Sequence, residues 1–507
     1  PRQRTDSVTP SGLRHFPLGE QVPASEHAVC VSLPTMADVL GYETKDPKVI
    51  NKIPAGYPRF VTHRLISRLI NELLLEKGYQ NRTGFALASR RVIDDFREFL
   101  TPNEIEFEER NGFVLAHAKK SPELQKAGKA FLQHTGFSIS SRQAEDILVA
   151  RGVAKVQQEE MVEEENASII ARRQIADTMG EEISPENILL ATSGANAFHA
   201  LFRGTRELLA DQGRTIWIQL GWLYVDTIKV LSNFSGERVE SIAIHNLSDL
   251  SELRKLFSDR GSEIAAVVTE VPTNPLFHTC DLNEVRDLCR TNGAILVADP
   301  TMASPRNIKV AGHADVLVNS LTKYAANEGD VMLGCLAFPK GSTFQDGWID
   351  GVRQHIATPY ARDLARLAFE MRHYPDLVER TNKNIMALAT FLESHPAVKK
   401  LHWSYAEPFG ANYRNLAGDG KPGCALAFEL NGAIEPFYDK IRILKSPSFG
   451  TKFSLLCPYV QLAHYDLTQN NQGRKLLASA GLSPELIRVS VGEEEAQEII
   501  SVFSEAL

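Results

Sequence analysis

The chain has little cysteine, no long apolar run and no excess of positive charge. Its 507 residues hold six cysteines, at positions 30, 280, 289, 335, 424 and 457, with no Cys-x-x-Cys pair. So sparse a set excludes a disulfide framework and a cysteine zinc site, and it fits a reducing compartment. No apolar stretch reaches membrane-span length, and the first thirty residues lack a hydrophobic signal core. A formal net charge of −8 argues against nucleic-acid binding as the main task. Internal repeats and low-complexity tracts are missing too. These absences predict a cytoplasmic protein whose partners are neither nucleic acid nor membrane, with no metal site. What is present is 43% apolar and 23% charged, the makeup of a globular chain long enough for two or three domains.

Residues 1 to about 60 are rich in Pro, Ser, Gly and charge and predict an extended arm with little structure, punctuated at Gly56-Tyr-Pro-Arg-Phe60. Leu65, Ile66, Leu69, Ile70, Leu73 and Leu74 then mark an amphipathic helix. A helical pattern spans about 143 to 180, and its acidic run Glu159–Glu165 reads as a solvated helix face. From there short apolar runs alternate with helical patterns: strands at 188–191, 215–219, 263–270, 294–298 and 315–319, with helices near 195–211, 223–233 and 281–292. That alternation predicts an α/β fold with a mainly parallel sheet. After about 340 the texture becomes α+β. The expected organisation is an arm and extension over 1–140, a large domain over 141–340 and a small domain over 341–507.

The strand Asp315-Val-Leu-Val-Asn319 ends in Ser320-Leu-Thr322-Lys323, and strand ends are where α/β sheets bind ligands. A lysine there, partly desolvated, becomes nucleophilic. Taken alone, Ser-x-Thr-Lys also reads as a surface lysine. Four other strand ends present polar groups: Thr192-Ser193-Gly194-Ala195, Tyr224-Val-Asp-Thr227, Glu270-Val-Pro-Thr-Asn274-Pro275 and Asp299-Pro-Thr301. A Ser-Gly turn opening a helix suits a phosphate. A carboxylate, an aromatic ring, an amide and a lysine complete what pyridoxal phosphate requires.

On these motifs the chain, from about 185 to its end, resembles the cystathionine γ-synthase (Cys/Met metabolism) family of pyridoxal-phosphate enzymes, with the aspartate-aminotransferase-like fold (fold type I). The resemblance implies that Lys323 is the Schiff-base lysine and Asp299 the pyridine-nitrogen partner. Ser193, Gly194, Ala195, Ser320 and Thr322 would hold the phosphate, with Thr301 close by and Tyr224 stacked on the ring. Asn274 would lie near the phenolic oxygen. Tyr224 would also assist catalysis. Ile487-Arg488-Val-Ser-Val-Gly492 is similar to the family's Arg-Leu-Ser-Val-Gly, which makes Arg488 the holder of the substrate carboxylate, and Ser448-Phe-Gly450 would line the same pocket. The family's Tyr-Ser-Arg, which reaches the phosphate from a neighbouring subunit, becomes Ser140-Ser141-Arg142, so Arg142 is the expected phosphate ligand. A homodimer or homotetramer follows.

Departures occur at Asn327-Glu-Gly-Asp330 and at Phe453, where cystathionine-handling members often carry a Glu. The expected reaction is γ-replacement on O-succinyl- or O-acetylhomoserine with cysteine, giving cystathionine. The alternatives are an O-acetylhomoserine sulfhydrylase, a methionine/cystathionine γ-lyase, or a non-catalytic binding protein of the same fold.

Overall fold

The computed structural model describes residues 12–54, 57, 60–110, 112–342, 344 and 346–507. The expected arm is folded rather than loose. Strands β1 (Gln21–Val22) and β2 (Cys30–Val31) pair antiparallel, and helices Met36–Glu43 and Pro47–Ile50 follow. Phe16, Val22, Val29 and Cys30 bury themselves against Leu444, Phe453 and Leu455, which is the apolar area that the Pro and Ser content disguises. The amphipathic helix forms over Arg64–Glu76 and buries Ile66, Leu69, Ile70, Leu73 and Leu74. It covers a sheet that the sequence did not announce, formed by β3 (Arg82–Leu87), β4 (Glu106–Arg110) and β5 (Phe113–Lys119) in the order β3-β5-β4.

The helical pattern at 143–180 is two helices, Ser141–Ala150 and Glu164–Met179, joined by extended chain. The acidic run sits on that join and at the start of the second helix, and Glu159 is buried rather than solvated.

The large sheet contains β6 (Ile188–Ala191), β7 (Ile216–Leu220), β8 (Glu240–Ile244), β9 (Ile264–Glu270), β10 (Ile295–Asp299), β11 (Val316–Ser320) and β12 (Gly334–Ala337), ordered β6-β12-β11-β10-β9-β7-β8. The pairs within β11-β10-β9-β7-β8 are parallel, while β12 runs antiparallel to both β11 and β6. Alternate residues of the central strands go to opposite faces. Ile295, Val297, Val316 and Val318 pack with Ala197, Phe198, Leu201 and Phe202 of the helix Gly194–Asp211. Leu296, Ala298 and Leu317 pack on the other face with Ala167, Ala171, Leu364 and Leu367. Covered on both faces, these strands read as unbroken apolar runs. The sequence pattern did not yield β8, which is mostly exposed, or β12, although β12 lies within the apolar run Val331–Phe338.

The C-terminal sheet contains β13 (Val398–His402), β14 (Ala425–Leu430), β15 (Leu444–Lys445), β16 (Leu455–Pro458) and β17 (Ile487–Ser490), ordered β13-β14-β17-β16-β15. The arm runs along its β15 edge: Leu33 N–H donates to the Lys445 carbonyl at 2.9 Å, and Leu444 N–H to that of Gly12 at 2.8 Å. An otherwise open sheet edge is thereby satisfied. No helix among the described residues is long and apolar enough to cross a membrane.

Candidate active site

The carboxyl ends of β7, β9, β10 and β11 open into a cavity of about 440 Å³, closed over by the arm and the C-terminal sheet. Lys323 lies three residues past the end of β11 and is 8% exposed. Its Nζ donates to Ser448 Oγ at 3.1 Å and lies 4.6 Å from the Tyr57 ring and 4.8 Å from the Phe449 ring. Asp299 ends β10 and Glu270 ends β9, paired in register. Glu270 accepts the N–H groups of Tyr224 at 2.5 Å and Asn274 at 3.0 Å, tying two of the expected site loops to one carboxylate. Tyr224 also opens a helix whose Asp226 is buried against His134 at 2.9 Å, which fixes the direction of that turn.

Burial pushes the Asp299 carboxyl up to about 6. Burial lifts Glu270 well above the ordinary range too, and the neighbouring Asp299 charge adds to the effect. Among the described residues Asp299 has no ion pair; Thr301 N–H reaches it at 2.8 Å. A raised carboxyl of this kind favours the folded chain while protonated. Between about pH 4 and 6 the folded chain holds this proton and the unfolded chain does not, so its contribution to stability declines as pH rises through that window. Without cofactor, Asp299→Asn should therefore raise the melting midpoint at pH 7.5, by a stabilisation on the order of 2 kcal/mol, and the gain should vanish at pH 4. An unchanged midpoint at pH 7.5 would show that a cation already neutralises Asp299.

The residues present fit pyridoxal phosphate. A half-buried carboxylate without a cation suits a protonated pyridine nitrogen. Ser193 caps the helix Gly194–Asp211, leaving the Gly194 and Ala195 amides of its first turn facing the cavity. A side chain at Gly194 would come within 3.0 Å of Ser320 Cβ, so a larger residue would push this turn away from the end of β11 by a few tenths of an ångström. Ser320 and Thr301 line the same wall.

Not every expected residue arrives there. Ser193 does not line the cavity; its Oγ accepts Asn196 N–H at 3.0 Å as a helix cap. Thr322 is buried away from the cavity, exchanging hydrogen bonds with the Leu333 backbone at 3.2 and 3.3 Å, because β12 folds back over it. Arg142 is the clearest correction. Its guanidinium is 1% exposed and contacts Glu159 at 2.6 Å, Asp363 at 3.2 Å and the Asp330 carbonyl at 2.8 Å. Held by these groups, it does not line this cavity. The Tyr-x-Arg spacing sought there also occurs as Tyr57-Pro-Arg59. Tyr57 does line the cavity, while Gly56, Pro58 and Arg59 lie outside the described residues.

Arg488, on β17, is aimed by strand alternation: Ile487 and Val489 enter the core of the C-terminal sheet, and Arg488 faces the cavity. It donates to Asn274 Oδ1 at 3.0 Å and to the Ser448 carbonyl at 3.0 Å. Glu270, Tyr57 and Tyr459 are among the cavity residues that the sequence pattern did not single out. Glu270 was legible as a carboxylate at a strand end. Tyr57 was legible from its arginine spacing. Tyr459, in Cys457-Pro-Tyr459, had no signal.

Residues 169–507 match the family described as Cys/Met metabolism PLP-dependent enzyme. The chain is 34% identical to the L-2-amino-4-chloropent-4-enoate dechlorinase/desaturase of Streptantibioticus cattleyicolor over 96% of its own length and 97% of that protein. To the cystathionine gamma-synthase of Neurospora crassa it is 26% identical, over 97% and 98%. Among solved structures it superimposes on a putative O-acetylhomoserine (thiol)-lyase from Campylobacter jejuni with a TM-score of 0.57 at 19% identity, covering 67% of this chain and 86% of the other. A cystathionine gamma synthase from Xanthomonas oryzae gives 0.56 at 21%, covering 69% and 88%. These likenesses give the fold, the aminotransferase-like fold type I. By its matched residues and its relatives, the chain belongs to the Cys/Met metabolism family and is a pyridoxal-phosphate-dependent enzyme.

Proposed function

We propose that this enzyme expels a leaving group from the γ-carbon of an α-amino acid and completes the reaction as an elimination, without a thiol acceptor. One observation carries the choice of elimination. Phe453, standing where a carboxylate would receive a cysteine amino group, is packed with Phe16, Val29 and Leu455 and has no place in the cavity. The far wall is instead apolar, built by Val31, Leu33, Ile53 and Phe60 of the arm with Leu462 and Ala463. The 34% identical relative, whose name places chlorine on the γ-carbon, supports the same reading.

Bound pyridoxal phosphate supplies an electron sink that makes the substrate's Cα and Cβ protons removable. Arg488 holds the carboxylate with a planar fork already aimed by Asn274 and Ser448. Lys323, once its amine is free, takes the Cα proton and passes protons along the same face, with Ser448 Oγ fixing its position. The Tyr224 hydroxyl would protonate the departing group, and Asp299 would keep the cofactor's ring nitrogen charged. The arm and the apolar wall exclude water.

A second reading, γ-replacement with cysteine to give cystathionine, is favoured by Glu43. This carboxylate lies at the cavity mouth near Lys45 and Lys129 and could receive the amino group of a second amino acid. To decide, the holoenzyme is given a γ-chlorinated amino acid, O-acetylhomoserine or O-succinylhomoserine, each with and without cysteine or sulfide. Elimination releases chloride or carboxylate at rates indifferent to thiol. Stoichiometric thiol consumption with appearance of cystathionine would replace it by the second reading.

A further inference from the structure

Tyr459 begins the short helix after β16, and its ring is 4% exposed on the cavity wall. Its hydroxyl oxygen accepts from Asn274 Nδ2 at 3.0 Å, while Asn274 Oδ1 accepts from Arg488 at 3.0 Å. One amide therefore holds both groups, and its two ends are committed to them. The ring also lies 5.0 Å from the Arg488 guanidinium carbon, with Phe449 at 5.3 Å from the same atom. This distance permits a cation–π contact with each ring. At its back, Tyr459 meets the His464 ring at 5.9 Å, itself held by Trp222 Nε1–H at 3.1 Å. The phenol is thus fixed in position and in direction.

The hydroxyl has a proton left over. As an acceptor from Asn274 it retains its own O–H, for which no acceptor occurs among the described residues. Burial pushes the phenol up, far from ionisation, and the Arg488 charge only partly opposes this. An unspent donor beside a fixed guanidinium, both facing one cavity, suits a ligand with two oxygens.

The geometry points to Tyr459 as a second ligand of the substrate α-carboxylate: its O–H donates to one oxygen, Arg488 to the other, and Asn274 sets the spacing between them. This rests on the proposed role of Arg488 and adds to it a donor that the family's motifs do not contain.

The test is a titration of the holoenzyme with L-norvaline, an amino acid without a γ-leaving group, followed through the cofactor's absorption band. Butylamine, the same molecule without its carboxylate, is the paired probe. Tyr459→Phe keeps the ring and removes only the hydroxyl. Its Kd for norvaline should rise about tenfold, the loss of one charge-assisted hydrogen bond, while its Kd for butylamine stays that of the wild type. Tyr459→Leu should weaken norvaline binding further, and Arg488→Lys should do so with the ring intact. Unchanged norvaline binding in Tyr459→Phe would overturn the inference. So would equal losses for norvaline and butylamine, which mark a packing role, or a wild type that does not distinguish the two probes. Because norvaline undergoes no γ-chemistry, a wild type that binds it yet turns over none of the γ-substituted compounds would discard the proposed reaction and leave Tyr459 in place.

Discussion

Replacing Lys323 with alanine should abolish turnover and remove the visible absorption of the lysine-bound cofactor. The amine is the one buried ammonium at the end of β11, held by Ser448 Oγ and framed by Tyr57 and Phe449. It is assigned two tasks: anchoring the cofactor's aldehyde and moving the substrate protons. Loss of a positioned acid–base group alone costs about 100- to 10,000-fold in rate, and loss of the anchor adds to that. Lys323→Arg keeps the charge but should fare no better, since a guanidinium is not deprotonated in proteins and cannot act as a nucleophile. Single-turnover rates and absorption spectra of the two variants provide the check. A yellow, active Lys323→Ala enzyme would remove Lys323 from the mechanism.

Arg142→Met should destabilise the chain by about 3–5 kcal/mol, the cost of breaking a buried ion pair from one side. The arginine faces Glu159, Asp330 and Asp363, all buried. Burial works against the Asp330 charge, but Arg142 and Arg366 outweigh it and hold that carboxyl below its usual range. Burial leaves Asp363 raised even with Arg142 beside it. Methionine fills similar volume and leaves these carboxylates facing one another with less compensation. The arginine also donates to the Asp330 carbonyl, so the turn after Lys323 loosens with it. Thermal or urea unfolding measures the effect. If stability were unchanged while phosphate or cofactor affinity fell, Arg142 would be the phosphate ligand that its motif suggested.

Asn327-Glu-Gly-Asp330, where the chain leaves the family pattern, is a clasp in the tertiary structure. Asn327 Nδ2 donates to the Glu370 carbonyl at 2.9 Å, and the Glu328 N–H to the Glu370 carboxyl at 2.8 Å. Glu328 pairs with Lys452, and the arm's Val29 N–H reaches the Gly329 carbonyl at 2.8 Å. Four remote parts of the chain thus meet behind the lysine. Each contact is polar and joins residues far apart in sequence, so periodicity carried no trace of it.

The large sheet was legible because its central strands are buried on both faces and must be apolar throughout. The strand-end residues Lys323, Asp299, Tyr224, Asn274 and Gly194 were legible because a parallel sheet delivers every carboxyl end to one side, whatever the sequence distance between them. Arg488 was found by motif, and strand alternation explains why it faces inward. These features follow from the order of residues along single elements. The residue order alone was therefore enough for the fold class, the cofactor and the strand-end groups that line the cavity. Only the tertiary structure decided which hydroxyls reach the cavity, Ser320 and Tyr459 but not Ser193 or Thr322. It also decided that Arg142 is enclosed by carboxylates, and that an arm rich in proline and serine forms a wall of the cavity. A side chain's partner depends on which elements pack beside it. Hydrogen bonds and ion pairs are short-ranged in space and indifferent to separation along the chain, so local pattern could not supply them.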